Sequence, residues 1–308
     1  MKKVLLTIID GFGYREEEKG NAVIKANPKN IISLWNKYPH TTLEASGEAV
    51  GLPKGQMGNS EVGHLNIGAG RVVDQPLMQI NHAIEDGSFF KNEVLLDVIN
   101  HCKKNSSDLH LFCLLSDGGI HSHINHLFAV LDLCKQEEFA NVYVHAFLDG
   151  RDTLPNVALK YLDELDAKIK DLGIGKLRDV SGRYYSMDRE RMWNLTKEYY
   201  DLLVHNEGEK ISSYKDYINS SYEKGVMDEF IVPARLMDEG NLKENDGMIM
   251  VNFRPDRITQ LFTAITNKDF KEFSRVDFKN TKLVTMMMPE HTVISTPAFP
   301  PMHLTNTL

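Results

Sequence analysis

From about residue 108 the chain alternates short apolar runs with stretches of helical period. Leu109 to Leu115 predicts a strand that ends in Ser116-Asp117-Gly118-Gly119, and Leu127, Val130, Leu131 and Leu133 predict the helix after it. Val142 to Leu148 predicts the next strand, ending in Asp149-Gly150-Arg151-Asp152, and a helix follows over Val157 to Leu172. Leu177 to Ser181 predicts a strand leading into Gly182-Arg183-Tyr184-Tyr185, with a helix over Met187 to Val204. Met248 to Phe253 predicts another strand, ending in Arg254-Pro255-Asp256-Arg257. Strand–helix alternation of this kind predicts a parallel, doubly wound α/β sheet. The four polar motifs all stand just past a strand, where ligands bind in open α/β sheets.

The stretch to Gln75 reads differently. It offers one near-continuous apolar strand (Lys3 to Ile9), a helix at roughly Pro28 to Lys37, and a weaker strand signal at Thr41 to Ala45. A strand apolar on both faces belongs inside a covered sheet with several neighbours, and two strands rarely stand alone. The expectation is a first domain that is incomplete or takes strands from elsewhere. Thr296-Pro297-Ala298-Phe299-Pro300-Pro301 resembles a linker near the chain's end.

The bulk numbers narrow the classes. At 308 residues about two domains are expected, and 42% apolar with 25% charged content is that of an ordinary globular protein. No apolar run reaches the length of a membrane span, and the apolar start breaks at Asp10, too soon for a signal peptide. Cys102, Cys113 and Cys134 are odd in number and lack C-x-x-C spacing, which predicts buried thiols and a cytoplasmic protein. A net charge of −8 argues against a nucleic-acid or membrane binder. Yet Arg151, Arg183, Arg189, Arg191, Arg254 and Arg257 fall in three short motifs. Arginine clustering in an acidic chain predicts a local anion site, since the guanidinium fork matches carboxylate and phosphate oxygens in pairs.

Candidate chemistry follows from these motifs, each with a plainer alternative. Asp10, at the end of the first predicted strand before Gly11, suits a metal ligand or a turn-forming Asp-Gly pair. Ser60, after glycines and at a predicted helix start, suits a nucleophile that carries a phosphoryl group, or an ordinary N-cap. No Gly-Lys-Ser/Thr follows those glycines, so this is not a Walker loop. His121, placed at the first turn of its predicted helix, suits contact with an anion, a structural role or a metal; with His123 and His126 it matches no standard structural-zinc spacing. Arg151 with Asp152 pairs a clamp for an anion with a carboxylate able to exchange a proton with a hydroxyl, or forms a local ion pair at a turn. Arg183 and Arg189 flank a predicted helix start, and Arg254 and Arg257 stand three apart on the next, so each pair can face one ligand or form a solvated surface.

Together the segments resemble the cofactor-independent (2,3-bisphosphoglycerate-independent) phosphoglycerate mutases, members of the alkaline-phosphatase-like metalloenzymes. The matching segments are Ile9-Asp10-Gly11-Phe12-Gly13, Gln56 to His64, Leu65 to Arg71, Leu115 to His123, Asp149 to Asp152, Gly182 to Arg189, and Asn252 to Arg257. Seven motifs in the right order are specific where no single one is. The resemblance implies reversible conversion of 3-phosphoglycerate to 2-phosphoglycerate in glycolysis, through a phosphoserine and two Mn2+ ions. It implies Ser60 as nucleophile, Asp10 and Ser60 as metal ligands, and Asp152 as the group managing the hydroxyl proton. His121, Arg151, Asp152, Arg183, Arg189, Arg254 and Arg257 would hold the phosphoglycerate.

It also implies an architecture: an alkaline-phosphatase-like metalloenzyme domain, incomplete here, with an inserted α/β phosphotransferase domain. Residues 1–74 would begin the metal-binding domain, 75–300 would be the insert, and 301–308 would start the return. The family's further metal ligands and a substrate-binding lysine belong to a C-terminal portion, and no Asp-His-Gly occurs in this chain. The expectation is therefore a truncated mutase whose remaining part lies elsewhere, including on a separate polypeptide. The alternatives are a fragment that binds phosphoglycerate without turnover and a broken chain with a poorly packed start. A phosphopentomutase is disfavoured by the insert's length and arginine pattern. The implied partner is a small molecule, with no nucleic acid and no membrane.

Overall fold

Apart from His110 and His145, β1 (Leu109–Leu114) and β2 (Val142–Leu148) are apolar or aromatic throughout, and every residue of both strands is buried. Such strands are stable only in the middle of a sheet covered on both faces. The structure, a computed structural model, describes residues 3–301 and 303–308. Met1, Lys2 and Met302, inside the expected segments 1–74 and 301–308, lie outside the described residues. The chain divides into two compact units, Met1–Met78 with His303–Leu308, and Gln79–Met302.

In the second unit, β3 (Lys176–Gly182), β4 (Glu209–Lys210), β5 (Ala234–Arg235), β6 (Gly247–Met250), β7 (Lys282–Thr285) and β8 (Thr296–Pro297) join them in one sheet. The order is β4-β5-β3-β2-β1-β6-β7-β8, and every neighbouring pair is parallel except β3 with β5. The chain builds outward from β1 through β2 and β3, then crosses to the other side with β6. The switch point of the topology therefore lies between β1 and β6. On one face, Phe112, Leu114 and Phe147 pack with Tyr199 and Leu203 of α9 (Trp193–His205) and Phe262 of α11 (Thr259–Thr266). Phe262 meets Phe112, and Tyr199 meets Phe147, edge-on at ring distances of 5.2 Å. Each such fully buried apolar side chain stabilises the unit by about 1.5–3 kcal/mol. α5 (Glu93–Asn105) lies so close to the sheet that a Cβ on Gly247 would meet Cys102 Sγ at 2.5 Å. α6 (Ile124–Gln136) and α7 (Ala158–Leu172) are the crossovers β1–β2 and β2–β3, while α8 (Arg183–Ser186) and α10 (Tyr214–Glu223) follow β3 and β4. The three thiols are buried and unbridged, as their spacing predicts.

Two predicted elements end short for identifiable reasons. The helix expected from Met187 starts at Trp193. Asp188 turns its carboxylate onto the amides of Glu190 and Met192, and Arg191 adopts a left-handed backbone (φ 62°), so the chain bends before the helix begins. The strand expected to Phe253 ends at Met250. Beyond it the Asn252 side chain, not the backbone ladder, accepts the Leu114 amide at 2.9 Å.

A line of buried charge crosses this sheet that the apolar pattern does not announce. Arg178 donates to Asp179 (3.0 Å), Asp179 accepts from His145 Nδ1 (2.6 Å), His145 Nε2 meets His110 Nδ1 (2.9 Å), and His110 Nε2 meets Asp246 (3.2 Å). Tyr199 donates to the other Asp179 oxygen at 3.0 Å. His145 gives its Nδ1 proton to Asp179, which makes its Nε2 the acceptor and His110 Nδ1 the donor. Burial, with smaller effects from His110 and Arg178, pushes His145 down to about 4, and burial pushes His126 down to about 3.

Stability should respond to acid accordingly. Both histidines bind protons less readily folded than unfolded, so their contribution is complete above about pH 6.5 and shrinks as pH falls toward 4. Urea unfolding at pH 7, 6 and 5 should show a falling midpoint, with on the order of 3 kcal/mol lost per histidine by pH 4. A midpoint that stays level from pH 7 to 5 would show that these imidazoles are not held neutral.

The first unit holds α1 (Ala22–Ala26), α2 (Lys29–Lys37) and α3 (Ser60–Ala69), with a small core of Val50, Leu52 and Val62. α4 (Pro76–Glu85) spans the division between the units. The strands expected at Lys3 to Ile9 and Thr41 to Ala45 do not form. Among the described residues this unit has no strand to pair with, and a strand without a ladder partner has nothing to stabilise it. Val4 and Leu5 are accordingly 92% and 89% exposed.

Candidate functional site

The first unit brings Asp10 and Ser60 together. Asn59 caps α3 by accepting the Val62 amide at 3.0 Å, which places Ser60 at the first helical position. The Ser60 hydroxyl donates to Asp10 Oδ2 at 2.8 Å. His64, one turn on, has Nδ1 2.8 Å from the Ser60 carbonyl and 3.3 Å from the hydroxyl. A carbonyl only accepts, so Nδ1 carries the proton and cannot act as a base toward Ser60. The carboxylate of Asp10 is the group that faces the serine proton. A manganese ion favours about six mainly oxygen donors. Asp10 and Ser60 offer one charged and one neutral oxygen, and no group of three or more His, Cys, Asp or Glu is placed for a metal among the described residues. The residues present do not fit a two-ion centre.

The second unit gathers the anion-site candidates at the carboxyl ends of β1, β2, β3 and β6. His121 stands three residues ahead of α6, not in its first turn, because His123 is the N-cap. Its carbonyl accepts the amides of Phe253 and Arg254, tying the loop after β1 to the loop after β6 across the switch point. The ring is 4% exposed, with Nε2 3.9 Å from Asp152 and Nδ1 3.5 Å from Asp256. Burial first, then Arg183 and Arg254, press its pKa down to about 4 against the opposing pull of Asp152 and Asp256. His121 thus enters the site as a neutral hydrogen-bonding ring. His126 is buried and bonds Asn81 at 2.8 Å, so the three histidines do separate work.

Arg254 and Arg257 lie in the loop before α11, not on the helix, where they had been expected. Asp256 between them is the centre of that loop: it accepts from Arg189 Nη1 at 2.5 Å and lies 3.2 Å from Arg254 Nε. Desolvation works to raise its carboxyl, but Arg254, His121 and Arg189 together hold it below the usual range. Arg257 reaches the Met187 carbonyl at 3.3 Å. Desolvation and then the positive charges of Arg183, Arg189 and Arg151 depress its pKa, a crowding that a bound anion relieves. Arg151 is exposed and reaches Glu229 at 3.3 Å. Arg183 is buried to 2% exposure and donates from Nη1 to Asp149 (2.7 Å) and Asp152 (2.8 Å). Gly150 must be glycine: its φ is +66°, and a Cβ would stand 2.9 Å from Asp228 Cβ and Glu229 N.

His121, Asp152, Arg183, Arg189, Arg254 and Arg257 are therefore linked in one cluster, with Arg151 at its edge. Two further carboxylates, Asp149 and Asp256, hold it together, and neither is among the residues predicted for the site. Their position between or before motif arginines was the available signal. Two polar atoms in the cluster, His121 Nδ1 and Arg183 Nε, are buried without a hydrogen-bond partner, as is Asp256 Oδ1. A groove of about 710 Å³ beside the cluster shares Arg189 and Asp256 with it.

Residues 80–290 match the family model described as BPG-independent PGAM N-terminus. Among solved structures, the phosphoglycerate mutase of Leishmania mexicana, crystallised at low cobalt concentration, is similar at 29% identity with a TM-score of 0.75. The match covers 90% of this chain and 54% of that one, so the chain spans about half the length of that relative. No helix among the described residues is long and apolar enough to cross a membrane.

Proposed function

Because the chain belongs to the family of BPG-independent phosphoglycerate mutases, we propose that it serves the interconversion of 3-phosphoglycerate and 2-phosphoglycerate in glycolysis. The second unit holds the phosphoglycerate, and Ser60 accepts its phosphoryl group. The observation that carries this reading is the gathering of Arg183, Arg189 and Arg254 around Asp152, Asp256 and His121 at the strand ends, with Arg257 depressed first by desolvation and then by the neighbouring guanidinium charges. A ligand with phosphate and carboxylate groups neutralises that excess charge and meets the guanidinium forks in pairs. His121, neutral and short of a partner at Nδ1, completes the ligand's hydrogen bonding. Asp152, 14% exposed at the side chain and close to both His121 and Arg183, exchanges the proton of the glycerate hydroxyl. A cytoplasmic location agrees with three unbridged thiols.

Calorimetric titration with 3-phosphoglycerate tests the binding half. The double variant Arg254→Ala, Arg257→Ala should bind about 100-fold more weakly than the parent chain, since each charged hydrogen bond contributes about 1.5–3 kcal/mol. Binding unchanged in a folded double variant would remove the arginine site from the proposal.

A second reading, binding without turnover, has its own support in the sparse donor set at Asp10 and Ser60. On the first reading, further manganese ligands come from outside the described residues, on a longer chain or a second polypeptide. Mutase assays with Mn2+, run on this chain alone and again with the family's C-terminal part supplied as a second polypeptide, separate the two. Activity favours the first, and binding without activity favours the second.

A further inference from the structure

Asp149 never reaches the surface, yet the strand-end loops depend on it. It is 2% exposed and receives four donors. Ser116 Oγ donates to Oδ2 at 2.6 Å; the amides of Arg151 (3.2 Å) and Asp152 (2.9 Å) and Arg183 Nη1 (2.7 Å) donate to Oδ1. These donors come from three places: the loop after β1, the loop after β2, and the first residue past β3. Ser116 extends the first connection, because its hydroxyl also accepts the Gly118 amide at 3.3 Å, and Gly118 packs under Asp152. Two of the four bonds fix the backbone that carries Asp152. A third places the guanidinium whose same nitrogen grips the Asp152 carboxylate at 2.8 Å.

We infer that Asp149 is a positioning residue: it aims Asp152 at the hydroxyl of the bound ligand without touching the ligand itself. The inference rests on the phosphoglycerate site proposed above. Its physical content is directional. A carboxylate on a glycine-containing turn has many orientations, and the two amide bonds with the shared Arg183 select one. Removing the selection leaves the arginines free to hold phosphate and carboxylate, while the hydroxyl is no longer recognised. The loss should fall on discrimination more than on anion binding.

The test uses two ligands, 3-phosphoglycerate and 3-phosphonooxypropanoate, which has the same phosphate and carboxylate but no hydroxyl. The parent chain should prefer 3-phosphoglycerate by about tenfold in calorimetric titration, as expected for one hydrogen bond to a charged group. In Asp149→Ala that preference should fall to within twofold. Asp149→Asn keeps a carbonyl oxygen for the two amides and should recover part of the preference. A purely structural role would weaken both ligands alike and leave their ratio near tenfold in the folded fraction, which would overturn the inference. Should Asp149→Ala not fold, Ser116→Ala removes one support without disturbing Arg183. It should lower the ratio several-fold, and an unchanged ratio there would equally overturn the proposal. Failure of the parent chain to bind 3-phosphoglycerate would instead refute the proposed ligand, and the inference with it. Binding with an intact ratio in every variant refutes the role of Asp149 alone.

Discussion

Arg178→Met should lower the unfolding free energy by about 3–5 kcal/mol, the cost of leaving a buried charge without its partner. The guanidinium is fully buried, as is Asp179, and it bonds Asp179, the Leu202 carbonyl (3.1 Å) and Asn206. Methionine fills much of the volume but leaves Asp179 with His145 and Tyr199 only. Asp179 keeps its charge because Arg178 and His145 outweigh the desolvation that opposes it. The measurement is urea unfolding at pH 7, with Lys170→Met as a control. Lys170 forms an exposed i,i+4 pair with Asp166, and such pairs contribute about 0.5 kcal/mol or less. A loss under about 1 kcal/mol at Arg178 would mean that the buried line of charge is not a unit.

Ser60→Ala should abolish phosphoryl capture while sparing the fold. The helix cap is Asn59, and the His64 ring donates to the Ser60 carbonyl, so neither needs the hydroxyl. The stability change should stay within about 0.5 kcal/mol. Mass spectrometry after incubation with 3-phosphoglycerate, Mn2+ and the family's C-terminal part supplied as a second polypeptide should find a phosphoryl adduct on the peptide containing Ser60, and none in the variant. Wherever mutase turnover is measurable it should fall by on the order of 10⁴-fold or more. An adduct on another residue would remove Ser60 from its role. Binding without any adduct in the parent chain would support the second reading.

The sequence made the central sheet legible because β1 and β2 are nearly continuous apolar runs that stop at polar motifs, and burial requires that pattern. It also placed the arginine cluster, since strand ends in such sheets converge in space. Where it misled, local groups competed with the period. Asp188 and Arg191 broke a helix that hydrophobic spacing alone continues through. Lys3 to Ile9 shows the reverse: an apolar run states what a segment can pair with, and pairing needs strands that the described residues of that unit lack. Asp149 and Asp256 are not legible as supports of the site, because a carboxylate in a turn has an ordinary local explanation. Their role comes from donors distant in the chain. β4, β5 and β8 are two residues each, too short to carry any period.

The buried series of Arg178, Asp179, His145, His110 and Asp246 also bears on descent. Each member balances the next, so a lineage that changes one of them passes through a form weakened by several kcal/mol. Escape requires two or more changes together, such as a joint replacement by apolar residues of similar volume. These five positions should therefore be inherited as a block, retained or exchanged in company. Their covariation would trace ancestry of the sheet separately from any selection acting on the ligand.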